Sequence, residues 1–390
     1  MSHAKGPPPE DRIRSASPSR AGTRDVTPAV GRRGEPGRYR RAFEGAKVAL
    51  AKPAWGDARW SFLYDKDTRY SSDASNGQVA EAARRAREGD ELPEVRGPII
   101  RPAVWTWEVP LYFWFGGIAT GSSFVAVACD AAGDHRSATI ARRVTLAAIG
   151  PGAPLLVMDL GRPERFLNMM RIFKPRSPMS MGAWCLSAFS GMAFGSVAAD
   201  LLGRPRLARL LGVKTAVLGT YLGSYTGVLL ASTAVPVWAR SRLFLGPIFI
   251  ATGTAKGAAA NRLVLSGLGM PVGHPTRDAL GTVETVAMGA ELAMSSFNEH
   301  RLGRLGDSLE KGRPGRLFQA AKWMVRAGLA LRLARKRGGP GVHHVASVLY
   351  LLAGLAFRFA WVGAGRTSAL DHETVARMAR ESRVRPSGSG

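Results

Sequence analysis

The chain has 390 residues, 54 of them Lys or Arg against 29 Asp or Glu, so it carries a formal charge of +25 with a pI near 11.2. A mean hydropathy of −0.04 describes a soluble protein only on average, because the charges crowd into the first hundred residues, the connectors and the C-terminal tail around a strongly apolar middle. The basic residues flank apolar runs rather than alternate with aromatics on one soluble face, which excludes a nucleic-acid partner and fits membrane-flanking charge. Only two cysteines exist, Cys129 and Cys185, too few for an iron–sulfur cluster in this chain.

Residues 1–38 are rich in Pro, Gly, Ser and Arg and have almost no large apolar side chains, so they are expected to be a disordered tail. Arg40-Arg41 begins a superficial twin-arginine pattern, but Glu44, Lys47 and Lys52 break the stretch after it, and no export signal is expected. Residues 39–103 form a polar extension with several aromatics and one helix-like stretch ended by Pro93. It serves as a cap over the membrane part or as a docking element.

Runs of about 20 mostly apolar residues, enough to cross roughly 30 Å of hydrocarbon, lie near 109–129, 143–160, 181–202, 213–234, 244–268, 279–297 and 342–364. An eighth candidate, 317–334, carries Lys322, Arg326 and Arg332 on one sector and either spans or lies flat at the interface. The expected fold is therefore an all-α integral membrane protein with about eight transmembrane helices, seven clear and one ambiguous. None of the seven histidines falls deep inside a span, which argues against a transmembrane haem.

Counting spans from the N-terminal side, here called face A, brings three stretches back to that face: the start of the first span, the 161–180 connector and the end of the fourth span. On the first span Glu108 and Tyr112 are one turn apart with Trp107 beside them. On the fourth, Tyr221 and Tyr225 are similarly paired, with Tyr225 roughly 10 Å below face A. Tyr112, Tyr225 and Glu108 offer hydrogen-bond partners and an acid in an apolar slot, as a quinone site needs. Each also has a plain reading, as interfacial aromatics or as a carboxylate favoured at a helix start. Asp159 sits where the second span returns to face A, close to Arg162, Glu164 and Arg165, which suits an ion-paired corner. Arg171, Lys174 and Arg176 follow in the same connector, suited with Arg162 and Arg165 to docking a partner or lipid.

Further along, Lys256, Glu284 and Glu291 are ionisable groups inside apolar spans, where burial is costly unless they pair or act. They suggest a Lys–Glu structural pair between the fifth and sixth spans or, together with Asp159, a proton path. A weak repeat, Ile118-Ala119-Thr120-Gly121 and Ile250-Ala251-Thr252-Gly253, places Asp159 and Glu291 at the same offset and suggests two related halves.

The stretches VWTWEVPLYFWFGGIATGSS (104–123), LGRPERFLNMMRIFKPRSPMSMGAW (160–184) and GSYTGVLLASTAVPVW (223–238) resemble the NrfD/PsrC family, membrane anchors of molybdopterin oxidoreductases. The resemblance implies two four-helix bundles, here 104–240 and 241–366, followed by a polar tail over 367–390. It also implies a quinone pocket in the first bundle (menaquinone or ubiquinone, contacted by Trp107, Glu108, Tyr112 and Tyr225), with Tyr112 standing where the family has a histidine. The implied partners are an iron–sulfur electron-transfer subunit and a molybdopterin catalytic subunit, in a bacterial inner (plasma) membrane. The chain itself would hold no complete active site and no haem. The arginine bias places face A inside, whereas polysulfide-reductase members place their catalytic subunits outside. The alternative is a two-bundle secondary transporter or proton channel, with Glu284, Glu291 and Lys256 at a midplane site.

Overall fold

A computed structural model describes residues 100, 103, 105–159, 170–334, 340–371 and 375. The expected tail 1–38, nearly all of the 39–103 extension, Arg162, Arg165 and most of the residues after 371 lie outside the described residues. Every regular element among the described residues is helical: α1 (Glu108–Ala131), α2 (His135–Ile149), α3 (Gly152–Asp159), α4 (Pro178–Leu201), α5 (Pro205–Ala231), α6 (Pro236–Arg240), α7 (Arg242–Gly267), α8 (Pro275–Leu302), α9 (Asp307–Glu310), α10 (Gly312–Leu333) and α11 (Pro340–Leu370).

Five helices among the described residues are long and apolar enough to cross a membrane: Glu108–Ala131, His135–Asp159, Pro178–Leu201, Arg242–Gly267 and Gly341–Leu370. The helices α5, α8 and α10, of 27, 28 and 22 residues, have the length but are less apolar, α5 through its many glycines and hydroxylated residues and α8 and α10 through their charges. The second long helix begins at His135, eight residues before the apolar run predicts. Arg142 made that start look like a connector, yet its side chain is only 4% exposed and turned inward. Asp134 caps the helix by accepting from the Ser137 amide at 3.0 Å. The helix is broken at Gly150-Pro151, where proline lacks the N–H that would continue the ladder. The turns leaving α1 and α4 are short because Gly133 (φ 79°) and Gly203 (φ 67°) adopt the left-handed conformation that ends a helix tightly.

Small residues let the central helices approach closely. Gly117 and Gly121 of α1 face Gly253 and Gly257 of α7, and a Cβ on Gly121 would overlap the Gly253 carbonyl and come within 2.9 Å of the Gly257 Cα. Gly219, Gly223 and Gly227 of α5 form a second seam, against Ser123 and Thr120 of α1 and against Leu245 and Ile250 of α7. The repeated Ile-Ala-Thr-Gly thus marks the crossing of α1 and α7, because its two glycines touch one another. The acidic half of the repeat does not share this, since Glu291 lies eleven residues before the end of α8 rather than near it.

The helix α10 packs lengthwise on α11 and also touches α8. Phe318, Ala321, Val325 and Gly328 face inward, and a Cβ on Gly328 would lie 2.5 Å from the Tyr350 ring. Its cations are not one solvated stripe: Arg332 and Lys322 turn toward α8, while Arg326 stays exposed over Trp323.

Candidate functional site

The first helix places Glu108 and Tyr112 on one buried face, at 4% and 7% exposure. Glu108 stands in the first turn of α1, where the helix dipole favours a carboxylate, and the Thr106 hydroxyl donates to it. Trp107 precedes it at the cap position, partly buried and engaged with its surroundings. One turn deeper, the Tyr112 ring lies 3.6 Å from the position a Cβ on Gly152 would occupy, against the proline break between α2 and α3.

From α5, Tyr225 is 4% exposed, and Tyr112, Tyr221 and Cys185 are its electrostatic neighbours. Its phenol rests directly on the Cα of Gly182 in α4, in space that any side chain there would fill. Tyr221 stacks on Tyr225 with ring centroids 5.7 Å apart and an interplanar angle of 24°, and at 40% exposure it reaches the outer surface of the helices. The arrangement is a buried pair of phenols, joined to the perimeter by a third. Tyr112 and Tyr225, expected from the sequence to meet one ligand, lie in the same buried cluster. Cys185, one helical turn beyond Gly182, was missed as a member of the group, and its only sequence signal was a thiol inside a span.

The connector into α4 leaves Arg171, Lys174 and Arg176 exposed, and Phe173 packs edge-on against Trp184 at 5.9 Å. Asp159 is partly buried and engaged with a neighbouring group. On α6, Trp238 is fully buried, stacks on Trp105 at 5.3 Å and donates its indole N–H to the Trp361 carbonyl at 2.9 Å. Its role is to tie the α5–α7 connector to α11.

The intramembrane ionisable groups do not form the Lys–Glu pair that the sequence suggests. Lys256 is fully buried and donates to the Trp114 carbonyl at 3.1 Å, with its side chain running between Gly117 and Gly354. Glu284, fully buried on α8, pairs instead with Arg332 of α10 and accepts from the Ser347 hydroxyl at 3.0 and 3.1 Å. Arg332 is 48 residues away, so spacing gave no hint of this partner. At the end opposite face A, Arg142 bonds Asp200 through Nε at 2.6 Å and Nη2 at 3.0 Å, and Asp130 at 2.5 Å, which joins α1, α2 and α4. In the adjoining turn, burial works to raise the Asp134 carboxyl, but hydrogen bonds from Ser137 and Thr276 and the nearby His274 hold it below the usual carboxylate range.

Residues 99–290, from the approach to α1 through most of α8, match the family described as polysulphide reductase, NrfD. The chain belongs to the NrfD/PsrC family. It is also similar to the C chain of polysulfide reductase from Wolinella succinogenes, with 27% identity over 185 residues, covering 41% of this chain and 58% of that protein. The chain thus spans a little over half the length of the curated relative it matches. Family membership and the apolar helices make it a multi-pass membrane protein, all-helical among the described residues. The candidate site, on α1, α4 and α5, falls within the matched region of this NrfD/PsrC member, whereas α10 and α11 lie after it.

Proposed function

We propose that the chain is the membrane subunit of a reductase complex, exchanging electrons and protons between the quinone pool and an iron–sulfur subunit attached to a molybdopterin catalytic subunit. The observation that carries this reading is the Tyr112–Tyr225 pair, buried among apolar residues and connected to the lipid-facing perimeter by Tyr221. A quinone headgroup needs a hydrogen-bond donor at each ring oxygen and an apolar route for its tail. Tyr112 and Tyr225 supply two hydroxyls, and the flat surface of Tyr221 borders the route. Glu108, one turn toward face A, is the group placed to receive or release a proton. Arg171, Lys174 and Arg176 meet the partner or lipid headgroups at the same face, beside the expected contribution of Arg162 and Arg165.

Eight spans in two four-helix groups are part of this proposal. In its support, α1 packs on α2 and α5 and α4 packs on α5, while α7 packs on α8 and α10 on α11, with α1 and α5 both meeting α7 across the two groups. The helices α5, α8 and α10 are long enough to cross as well, and the Glu284–Arg332 and Glu299–Lys322 pairs between α8 and α10 lower the cost of burying their charges. A bacterial inner membrane is the compartment this reading requires.

The test is purification of the tagged chain from native membranes in mild detergent, with iron and molybdenum analysis and a quinol oxidation assay. Co-purifying iron and molybdenum with activity lost in Tyr225→Phe and Tyr112→Phe is expected. A metal-free, partner-free chain overturns the reading and favours a transporter or proton channel, which draws its support from the buried Lys256, Glu284 and Glu291.

A further inference from the structure

One ionisable group in the set α7, α8, α10 and α11 is placed differently from its neighbours. Glu291 is 4% exposed on α8. The other carboxylates facing this set are committed: Glu284 to Arg332 and Ser347, and Glu299 to Lys322 at 2.6 Å. Among the described residues Glu291 stands outside these pairs. It lines a narrow cavity with Thr252 of α7, Lys322 of α10 and Gly354 and Phe357 of α11, with room for about one water molecule.

The charges around it are asymmetric. Arg358 of α11 and Lys322 of α10 attract it from two sides, and Glu299 is the like charge on its own helix. Lys256 of α7 is turned to the Trp114 carbonyl, and the other buried cations of this set, Arg262, Arg277 and Arg332, lie toward the end opposite face A. Arg358 is 1% exposed, donates one N–H to the Phe249 carbonyl at 3.2 Å and lies 3.4 Å over the Phe249 ring. Its Nε and Nη1 have no partner among the described residues. A carboxyl free of ion pairs therefore sits near a guanidinium with two uncommitted nitrogens and beside a space of water size.

Access is one-sided. Toward face A, the Lys322–Glu299 pair, 14% and 19% exposed, leads from the cavity to the end of α8. Toward the opposite face, Met288, Val325 and Tyr350 pack into an apolar plug between Glu291 and the Glu284–Arg332 pair.

We propose that Glu291 is a proton-exchange site open to face A only. In the protonated state the carboxyl is neutral and Arg358 keeps its charge against the Phe249 ring. On release, the proton passes to water in the cavity and leaves along the Lys322–Glu299 pair, while the carboxylate turns to the open N–H groups of Arg358. The site loads and unloads protons from one side without conducting across the membrane, and it does not depend on the quinone reading.

Dicyclohexylcarbodiimide, an apolar reagent that modifies protonated carboxyls within membranes, tests this on the native, unmutated protein, with peptide mass mapping of the product. Labelling at Glu291 in mildly acidic buffer, declining as the buffer is made alkaline, is expected, with Glu284 unlabelled. An unlabelled Glu291, or equal labelling of Glu284, overturns the proposal. Infrared difference spectra across the same pH change are expected to show a protonated-carboxyl C=O band that is lost in Glu291→Gln and kept in Glu284→Gln. A band that survives Glu291→Gln overturns it as well. The shift of that C=O band after transfer from H2O to D2O is expected to be several-fold slower in Lys322→Met, and an unchanged exchange rate would refute entry along the Lys322–Glu299 pair.

Discussion

Replacing Arg332 with Met tests the way α8, α10 and α11 are held together. Glu284 has no exposed surface, and Arg332 is the only described cation within ion-pair distance of it. Removing the guanidinium leaves a buried carboxylate with the Ser347 hydroxyl alone, and it also removes the Arg332 contacts to Ser347 at 3.1 Å and to His343 at 3.0 Å. Breaking a buried pair from one side costs about 3–5 kcal/mol, a loss of roughly two to three and a half powers of ten in the folded-to-unfolded ratio at 1.4 kcal/mol per factor of ten. The double variant Glu284→Gln/Arg332→Met removes both charges and is expected to recover at least about half of that loss, because the penalty comes from the unpaired ion rather than from the missing attraction. Reversible denaturant titration of the purified chain in detergent, run on wild type, both single variants and the double, measures the coupling. Additive losses, or an Arg332→Met loss below about 1 kcal/mol, would refute the pairing, because an exposed or water-bridged pair behaves that way.

Gly182→Ala is expected to push the Tyr225 ring off α4, lowering stability by about 1–3 kcal/mol and weakening quinol turnover; enzyme kinetics and melting of the same preparation check both, and an unaffected variant would place Tyr225 elsewhere. Gly257→Leu wedges α7 from α1 at the Gly121 contact, and the expected result is loss of folded protein in fluorescence-detected size exclusion, whereas Gly289→Leu, at a glycine whose added Cβ meets nothing within 4 Å, leaves the profile unchanged. Asp134 caps α2 and accepts from Thr276 Oγ1 at 2.6 Å, so Asp134→Ala is expected to cost about 0.5–2 kcal/mol at neutral pH. Because its folded-state pKa is depressed, this contribution is complete above the unfolded carboxylate value of about 4 and fades as pH falls through the lower folded value. The stability difference between wild type and Asp134→Ala should therefore shrink on acidification, and a difference that grows would contradict the hydrogen-bond account.

The sequence by itself determined where the long helices lie, because hydrocarbon length and side-chain hydrophobicity act residue by residue along the chain. Six of the seven apolar runs fall largely within a single helix, the second is divided between α2 and α3, and the eighth candidate is a helix too. Face counting from those runs was enough to bring Tyr112 and Tyr225 toward the same face, and both side chains belong to one buried cluster. The errors cluster at charged residues: Arg142 truncated the expected second span, and Lys256 was expected to pair with a glutamate, when its ammonium reaches a backbone carbonyl 142 residues away. Whether a buried charge breaks a helix or completes one depends on what faces it, and Asp130, Asp200, Arg332 and Arg358 arrive from other helices. Tertiary structure alone decided those partners, the glycine seams that set how closely the helices approach, and the committed or open state of each buried carboxylate. Pairing free energy falls off over a few ångströms, a separation that neighbours in sequence do not control and packed helices do.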